Sequence, residues 1–174
     1  LADAAVAVLL YVLLKRVNKT VALLAAAFRL VAHPAIAGLN LLNHFGAVLF
    51  AGGIGSAAAF EPAQAQALAA VALEAHRYGY LIAGAFFGVH CGLLGYLLYA
   101  SGYMPKVLGI LMAVAAAGYL VETFGGFLLP AYAGVYGWIV GVTAAVGEVS
   151  LAVWLVVKGV STRQAPTAQV AVAS

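Results

Sequence analysis

Three side chains that could take part in chemistry fall at a similar depth of three predicted helices. Arg29, His90 and Glu148 each lie ten or eleven residues from the polar end of their own segment. At about 1.5 Å per residue, each sits roughly 15 Å into its helix, near the middle of a bilayer. An arginine–carboxylate pair beside an imidazole can neutralise its charges and relay protons. The sequence therefore predicts a polar midplane layer made of these three residues.

Two interpretations of this layer stay open. In the structural one, Arg29 and Glu148 form a buried ion pair that holds their two helices together. In the functional one, the layer handles protons, ions or a small ligand, because ionisable groups inside a membrane are expensive and commonly functional. No glycine-rich phosphate loop or nucleophile elbow occurs. We therefore identify no catalytic residue and favour a protein without catalysis.

Secondary polar positions lie in the outer half by the same depth count. These are Asn40, Asn43 and Glu122. Glu122 either lines an outward-facing cavity or reaches the membrane interface. The candidate metal ligands lie at unequal depths, whereas a zinc site needs three or four ligands together, so we predict no metal site.

The four histidines offer an alternative, haem ligation. His76 and His90 are fourteen residues apart and lie within about 40° of one helix face. His33 and His44 are eleven apart and also share a face. Pairing His33 with His90 and His44 with His76 would supply axial ligands for two b-type haems. The competing interpretation is a set of interfacial histidines and one core histidine, without a cofactor.

Composition restricts the class of protein. Of 174 residues, 66% are hydrophobic and 7% are charged, whereas about a quarter are charged in a typical soluble domain. Apolar stretches of about 20 residues predict membrane helices, with the lipid bilayer as the surrounding partner. The net charge of +3 comes from a few residues in short loops, so nucleic-acid binding is not expected.

The fold class predicted is an all-α polytopic transmembrane bundle, one domain over residues 1–160. Its five helical segments are expected at about 1–15, 20–51, 62–100, 107–124 and 135–157, followed by a disordered tail at 161–174. The first segment spans only about 21 Å, so we expect further helical sequence before Leu1. Pro34 should kink the second segment.

Basic residues alternate between successive loops. Loops 15–19 and 101–106 and the C-terminus carry Lys or Arg, whereas loops 52–63 and 125–134 carry none. The positive-inside rule then places the first group in the cytoplasm and the second group outside.

Small residues recur every four positions on three segments, which permits close approach of helix backbones. A stripe that is not used inside the bundle would dock another membrane subunit or a second copy. The stripes are Gly84–Gly88–Gly92, Gly109–Ala113–Ala117 and Gly137–Gly141–Ala145.

Fragments along nearly the whole chain occur in a distinctive order: Leu10–Lys15, Asn18–Lys19, Ala22–Leu30, Gly38–Asn43, Phe86–Cys91, Leu94–Tyr96, Ser101–Gly102, Gly147–Trp154 and Val157–Val160. In this order they resemble the family of bacterial multi-pass membrane proteins called domain of unknown function 4386. The resemblance implies an inner-membrane helix bundle with more helical sequence in front. The name of the family assigns no activity.

We expect an accessory or structural membrane subunit, or a bundle that handles protons or a small ligand at the polar layer. The alternative is a haem-b electron-transfer protein. Only that alternative requires a cofactor.

Overall fold

Helix follows helix along the computed structural model, which describes residues 1–159; the tail predicted at 161–174 lies outside the described residues. The described part contains no strand. The all-α bundle with five helical segments is confirmed. The second segment contains two of the helices, α2 and α3, so six helices are named in the described part. They are α1 (Ala2–Leu14), α2 (Lys19–Leu30), α3 (Gly38–Gly52), α4 (Pro62–Ala100), α5 (Lys106–Leu128) and α6 (Ala133–Lys158).

Four continuous helical stretches are long and apolar enough to cross a membrane. They are Lys19–Gly52, Pro62–Ala100, Lys106–Leu128 and Pro130–Lys158, whereas Ala2–Leu14 is a shorter apolar helix. Many large apolar side chains on these stretches face outward, such as Trp138 and Val156. Such surfaces are suited to lipid rather than to water.

The second stretch crosses Pro34 without breaking. Residues Val31–Ala37 form a π-helical turn that joins α2 to α3. Proline lacks an N–H and its ring collides with the preceding turn of an α-helix. A wider π turn relieves that collision while the helix continues. The effect of Pro34 is therefore a π turn inside one continuous helix.

Helix α4 is the centre of the bundle, because it packs against α2, α3 and α5. Its glycine stripe faces α5, where a methyl group on Gly88 would lie 3.1 Å from Tyr119. The backbones also approach closely at Gly95, where a methyl group would lie 2.8 Å from the Gly109 carbonyl oxygen. The stripe is thus a packing face between α4 and α5.

Helix α5 ends at Leu128, four residues beyond the end predicted from the Gly125–Gly126 pair. Both glycines are packing positions. A methyl group on Gly125 would lie 2.7 Å from the Tyr136 ring, and one on Gly126 would lie 2.7 Å from the Leu81 side chain. The helix therefore continues through them and ends just before Pro130.

Helix α6 packs mainly on α5, and only 17% of its most apolar stretch is buried. At the end that carries Lys106 and Lys158, an apolar core joins α4 and α5 to α1 and α6. The Tyr103 hydroxyl, in the turn between α4 and α5, donates a 3.0 Å hydrogen bond to the Leu13 carbonyl oxygen at the end of α1. Burial raises the pKa of Tyr103, an effect that nearby Arg16 partly opposes.

Candidate functional site

Arg29 on α2 pairs with Asp3 on α1. Its Nη2 donates to Asp3 Oδ1, and the two side chains are 15% and 24% exposed. The predicted ion pair between Arg29 and Glu148 is therefore wrong. A depth count gives the level of a residue along its helix, but it does not give the direction in which the side chain points around the bundle.

His90 on α4 is held at both ring nitrogens. Its Nε2 lies 3.2 Å from Arg29 Nη1, and its Nδ1 lies 2.8 Å from the Ala25 carbonyl oxygen. The carbonyl can only accept, so Nδ1 carries the hydrogen, and the guanidinium can only donate, so Nε2 accepts. The contacts therefore select the neutral imidazole. With 1% of its surface exposed, His90 is buried in this state.

His33, in the π turn, completes the group. Its Nδ1 lies 2.6 Å from Asp3 Oδ2, so both carboxylate oxygens of Asp3 have partners. The chain of contacts runs from His33 through Asp3 and Arg29 to His90, and we call these four residues the charged network. His33 is its most accessible member, with 38% of its side chain exposed.

Phe87 on α4 lies against the charged network. Its ring centroid is 5.1 Å from Arg29 Cζ, 4.3 Å from the His33 ring and 5.3 Å from the His90 ring. A guanidinium at this distance gains a cation–π attraction, which is stronger where water is absent. The same ring also meets Tyr119 edge-on at 5.1 Å.

Glu148 on α6 belongs to a separate contact. It accepts a 2.8 Å hydrogen bond from the Tyr119 hydroxyl on α5. Because Tyr119 packs on Phe87, that ring contacts both the charged network and the hydrogen-bond donor of Glu148. Of the three predicted layer residues, the structure joins Arg29 to His90 and gives Glu148 a different partner.

Asn40, Asn43 and His76 form a second polar group, between α3 and α4. The Asn40 side chain donates to the His76 carbonyl oxygen at 2.7 Å, and His76 Nδ1 donates to the Asn40 carbonyl oxygen at 3.0 Å. Asn43 donates to Asn40 Oδ1 at 2.9 Å. Gly79 makes room for the Asn40 side chain, which would overlap any methyl group there. This group ties α3 to α4.

The histidines proposed as haem ligands already have neighbours. The His44 and His76 ring centroids are 5.1 Å apart, in direct contact. His33 binds Asp3, and both nitrogens of His90 are engaged. An iron atom at His90 would have to displace Arg29 or the Ala25 carbonyl. Haem ligation stays a prediction that a spectrum can test.

Glu122 on α5 is half-buried beside α6, where a methyl group on Gly137 would lie 4.0 Å from its carboxylate. Its neighbour Thr123 is buried and donates a 2.9 Å hydrogen bond to the Leu81 carbonyl oxygen. The choice between an outward cavity and the interface for Glu122 stays open.

Residues 1–159 contain no group of three or more histidine, cysteine or acidic side chains placed to hold a metal ion. Beside His90 lies a cavity of about 10 Å³, lined chiefly by leucine and alanine side chains together with Tyr11. That volume is on the order of one water molecule. This cavity is much too small for an organic substrate.

Asp3 and Tyr119 were missing from the predicted site. Asp3 lies twelve residues before Lys15, so the count applied to the other helices would have placed it about 18 Å in, at the level of Arg29. Tyr119 carries no charge, and nothing in its spacing distinguishes it from other tyrosines. Its role follows only from its contacts with Phe87 and Glu148.

Comparisons with known proteins identify the family of this chain. The family model described as "Domain of unknown function (DUF4386)" matches residues 1–159. An "Uncharacterized protein" of Archaeoglobus fulgidus is 34% identical over 164 residues, which cover 90% of this chain and 76% of the relative. No solved structure matches. On the strength of the family match and this relative, the chain belongs to the DUF4386 family.

Proposed function

We propose that this protein is an accessory subunit of a membrane-protein complex. It would assemble with a transmembrane helix of its partner through α6. The observation that carries this proposal is the outward-facing part of the small-residue stripe Gly137–Gly141–Ala145, in which Gly137 is half-buried near Glu122 of α5. A methyl group on Gly141 would meet nothing within 4 Å, and Ala145 is exposed. By contrast, Gly88 and Gly109 on α4 and α5 are covered inside the bundle. Outward small residues allow a second helix to approach closely.

The charged network supports an architectural role. Both Asp3 oxygens and both His90 nitrogens have partners inside the protein. Apart from Arg29 Nε, the buried polar atoms of the network are engaged within the protein, and such a group serves to hold helices together, here α1 against α2 and α4. Removing one partner of such a buried pair typically costs several kcal/mol.

Assembly can be tested with the full chain in native membranes, by gentle solubilisation and native gel electrophoresis. We expect a species larger than the monomer. Gly141→Leu should shift it to the monomer, because leucine blocks close backbone approach. Val142→Phe is the matched control, since Val142 is an exposed neighbour on another side of α6. A monomer in the unmodified protein, or an unchanged complex in Gly141→Leu, would refute the proposal.

Proton handling is a second candidate function, favoured by the accessibility of His33. Its ring contacts Asp3, which in turn pairs with Arg29, and the water-sized cavity adjoins His90 further along the same chain of contacts. In this mechanism His33 and Asp3 exchange the proton, and His90 stays neutral. Proteoliposomes loaded with a pH-sensitive dye would show proton flux that is lost in His33→Gln and kept in His44→Gln. Equal proton flux in dye-filled liposomes with and without the protein would reject this candidate.

The loop charges supply an orientation. We infer that loops 15–19 and 101–106 and the C-terminus are cytoplasmic, and that loops 52–63 and 125–134 are external. Single cysteines introduced at Ser56 and Ser101 in a Cys91→Ala background test this. A membrane-impermeant maleimide should label the first in intact cells and the second only after lysis. The opposite pattern would reverse the topology.

A further inference from the structure

A groove on the surface of the bundle lies between the start of α5 and the end of α6. Its volume is about 460 Å³, within the range of ligand sites in proteins. Val107 and Leu108 form the α5 wall, and Val153 and Val157 form the α6 wall. The groove is therefore mainly apolar, and it runs along the surface that the membrane would cover.

Among residues 1–159, the only charged residue that lines the groove lies at one end, whereas Ser150 is an uncharged polar residue further along α6. Lys158, the last residue of α6, lines that end and is exposed. No carboxylate of residues 1–159 lies within 4 Å of its ammonium group. Lys106, the first residue of α5, brings a second positive charge to the same end of the bundle. A ligand that fills the groove would thus meet positive charge only at its head.

We propose that this groove binds an anionic phospholipid, with an acyl chain between α5 and α6 and the phosphate at Lys158. The apolar walls suit an acyl chain, and the ammonium group suits a phosphate. Trp154, half-buried in the groove one turn before Lys158, is the type of residue found where acyl chain and headgroup meet. The site does not depend on the assembly role of α6, because Gly141 and Ala145 are not among its lining residues.

The charge pattern favours a lipid over a partner helix in the groove. A transmembrane helix packs closely where small residues allow it, whereas the walls here consist mainly of branched side chains. The exposed Lys158 at the end of the groove can also pair with an anion, which an acidic lipid supplies and an ordinary apolar helix does not. The matching ligand is amphiphilic, with a single negative head.

Lipid retention tests the proposal directly. The full chain is reconstituted in nanodiscs of equal parts phosphatidylglycerol and phosphatidylcholine, then released and analysed by native mass spectrometry. We expect phosphatidylglycerol to be retained preferentially. Lys158→Gln should weaken its retention about fivefold, because one lysine near an anionic headgroup contributes about 1 kcal/mol. Lys15→Gln, which removes an exposed lysine outside the groove, should retain the lipid.

A second variant tests the apolar wall. Val153→Trp fills the groove and should reduce phosphatidylglycerol retention with Lys158 still present. Val153 is 54% exposed, so this change leaves the packed core alone, and an unchanged melting temperature would verify that. Equal retention of the two lipids, or equal loss in Lys158→Gln and Lys15→Gln, would overturn the proposal. Retention unchanged by Val153→Trp would overturn the assignment of the acyl chain to the groove.

Discussion

Replacement of Arg29 by glutamine tests the charged network most directly. The substitution leaves the Asp3 carboxylate without its cation and removes the donor to His90 Nε2. Breaking a buried ion pair costs about 3–5 kcal/mol. Arg29 Nε, however, is itself buried without a partner. Removing this unsatisfied donor stabilises the folded state by about 1–3 kcal/mol, which offsets part of the loss. We therefore expect Arg29→Gln to lower the free energy of unfolding by about 2 kcal/mol.

Glu148→Gln is the matched control. The Tyr119 hydroxyl can still donate to the amide oxygen at this position, so the loss is limited to the difference between a charged and a neutral acceptor. We expect a loss below about 1 kcal/mol.

Reversible unfolding in mixed micelles of mild detergent and dodecyl sulfate gives these free energies. Double-mutant cycles then separate the pairs. Asp3→Asn combined with Arg29→Gln should show coupling above about 1 kcal/mol, whereas Arg29→Gln combined with Glu148→Gln should be additive within about 0.5 kcal/mol. Strong coupling between Arg29 and Glu148, with none between Arg29 and Asp3, would refute the network described here.

Three further predictions concern packing, pH and cofactor content. Gly95→Ala should destabilise the protein by about 1–3 kcal/mol, because the added methyl group overpacks against α5. Gly141→Ala should stabilise it by about 0.5–1 kcal/mol, because a methyl group there meets open space. Equal effects of the two variants in thermal melts would contradict this packing. The raised pKa of Tyr103 means that folding favours the neutral phenol, so its contribution is present below pH ~10 and lost above it. Tyr103→Phe should remove that alkaline loss from a pH series of melts, and an unchanged profile would contradict it. Finally, the purified protein should show no Soret band, because the nitrogens of His90 are engaged; a band abolished by His90→Ala would establish the haem alternative.

The helix pattern was readable from the sequence where the signals act locally. The predicted segment 62–100 matches the bounds of α4, because Pro62 suits a first helical turn and Glu61 and Gln64 form a capping box. The end of α5 was predicted four residues early for a nonlocal reason. Glycine can break a helix or can admit a neighbouring side chain, and only the positions of Tyr136 and Leu81 decide between these roles.

For the candidate site, the sequence predicted how far each residue lies along its helix, but it did not predict the direction in which each side chain points. The spacing placed Arg29 and His90 at one level in the membrane. In the structure, Arg29 Nη1 lies 3.2 Å from His90 Nε2. The same spacing suggested Glu148, which instead faces Tyr119. The packing of α6 on α5 rather than on α2 is a tertiary property that no residue count contains.

The pairing of Asp3 with Arg29 bears on how the chain enters the bilayer. An unpaired Asp or Arg at the centre of a membrane helix opposes insertion by about 2.5–3.5 kcal/mol on the translocon scale. The helices α1 and α2 are joined by a short turn, so the two charges can meet before either is exposed to acyl chains. Insertion as a two-helix hairpin avoids two successive barriers. The ion pair that holds α1 in the finished bundle would then form as α1 and α2 insert.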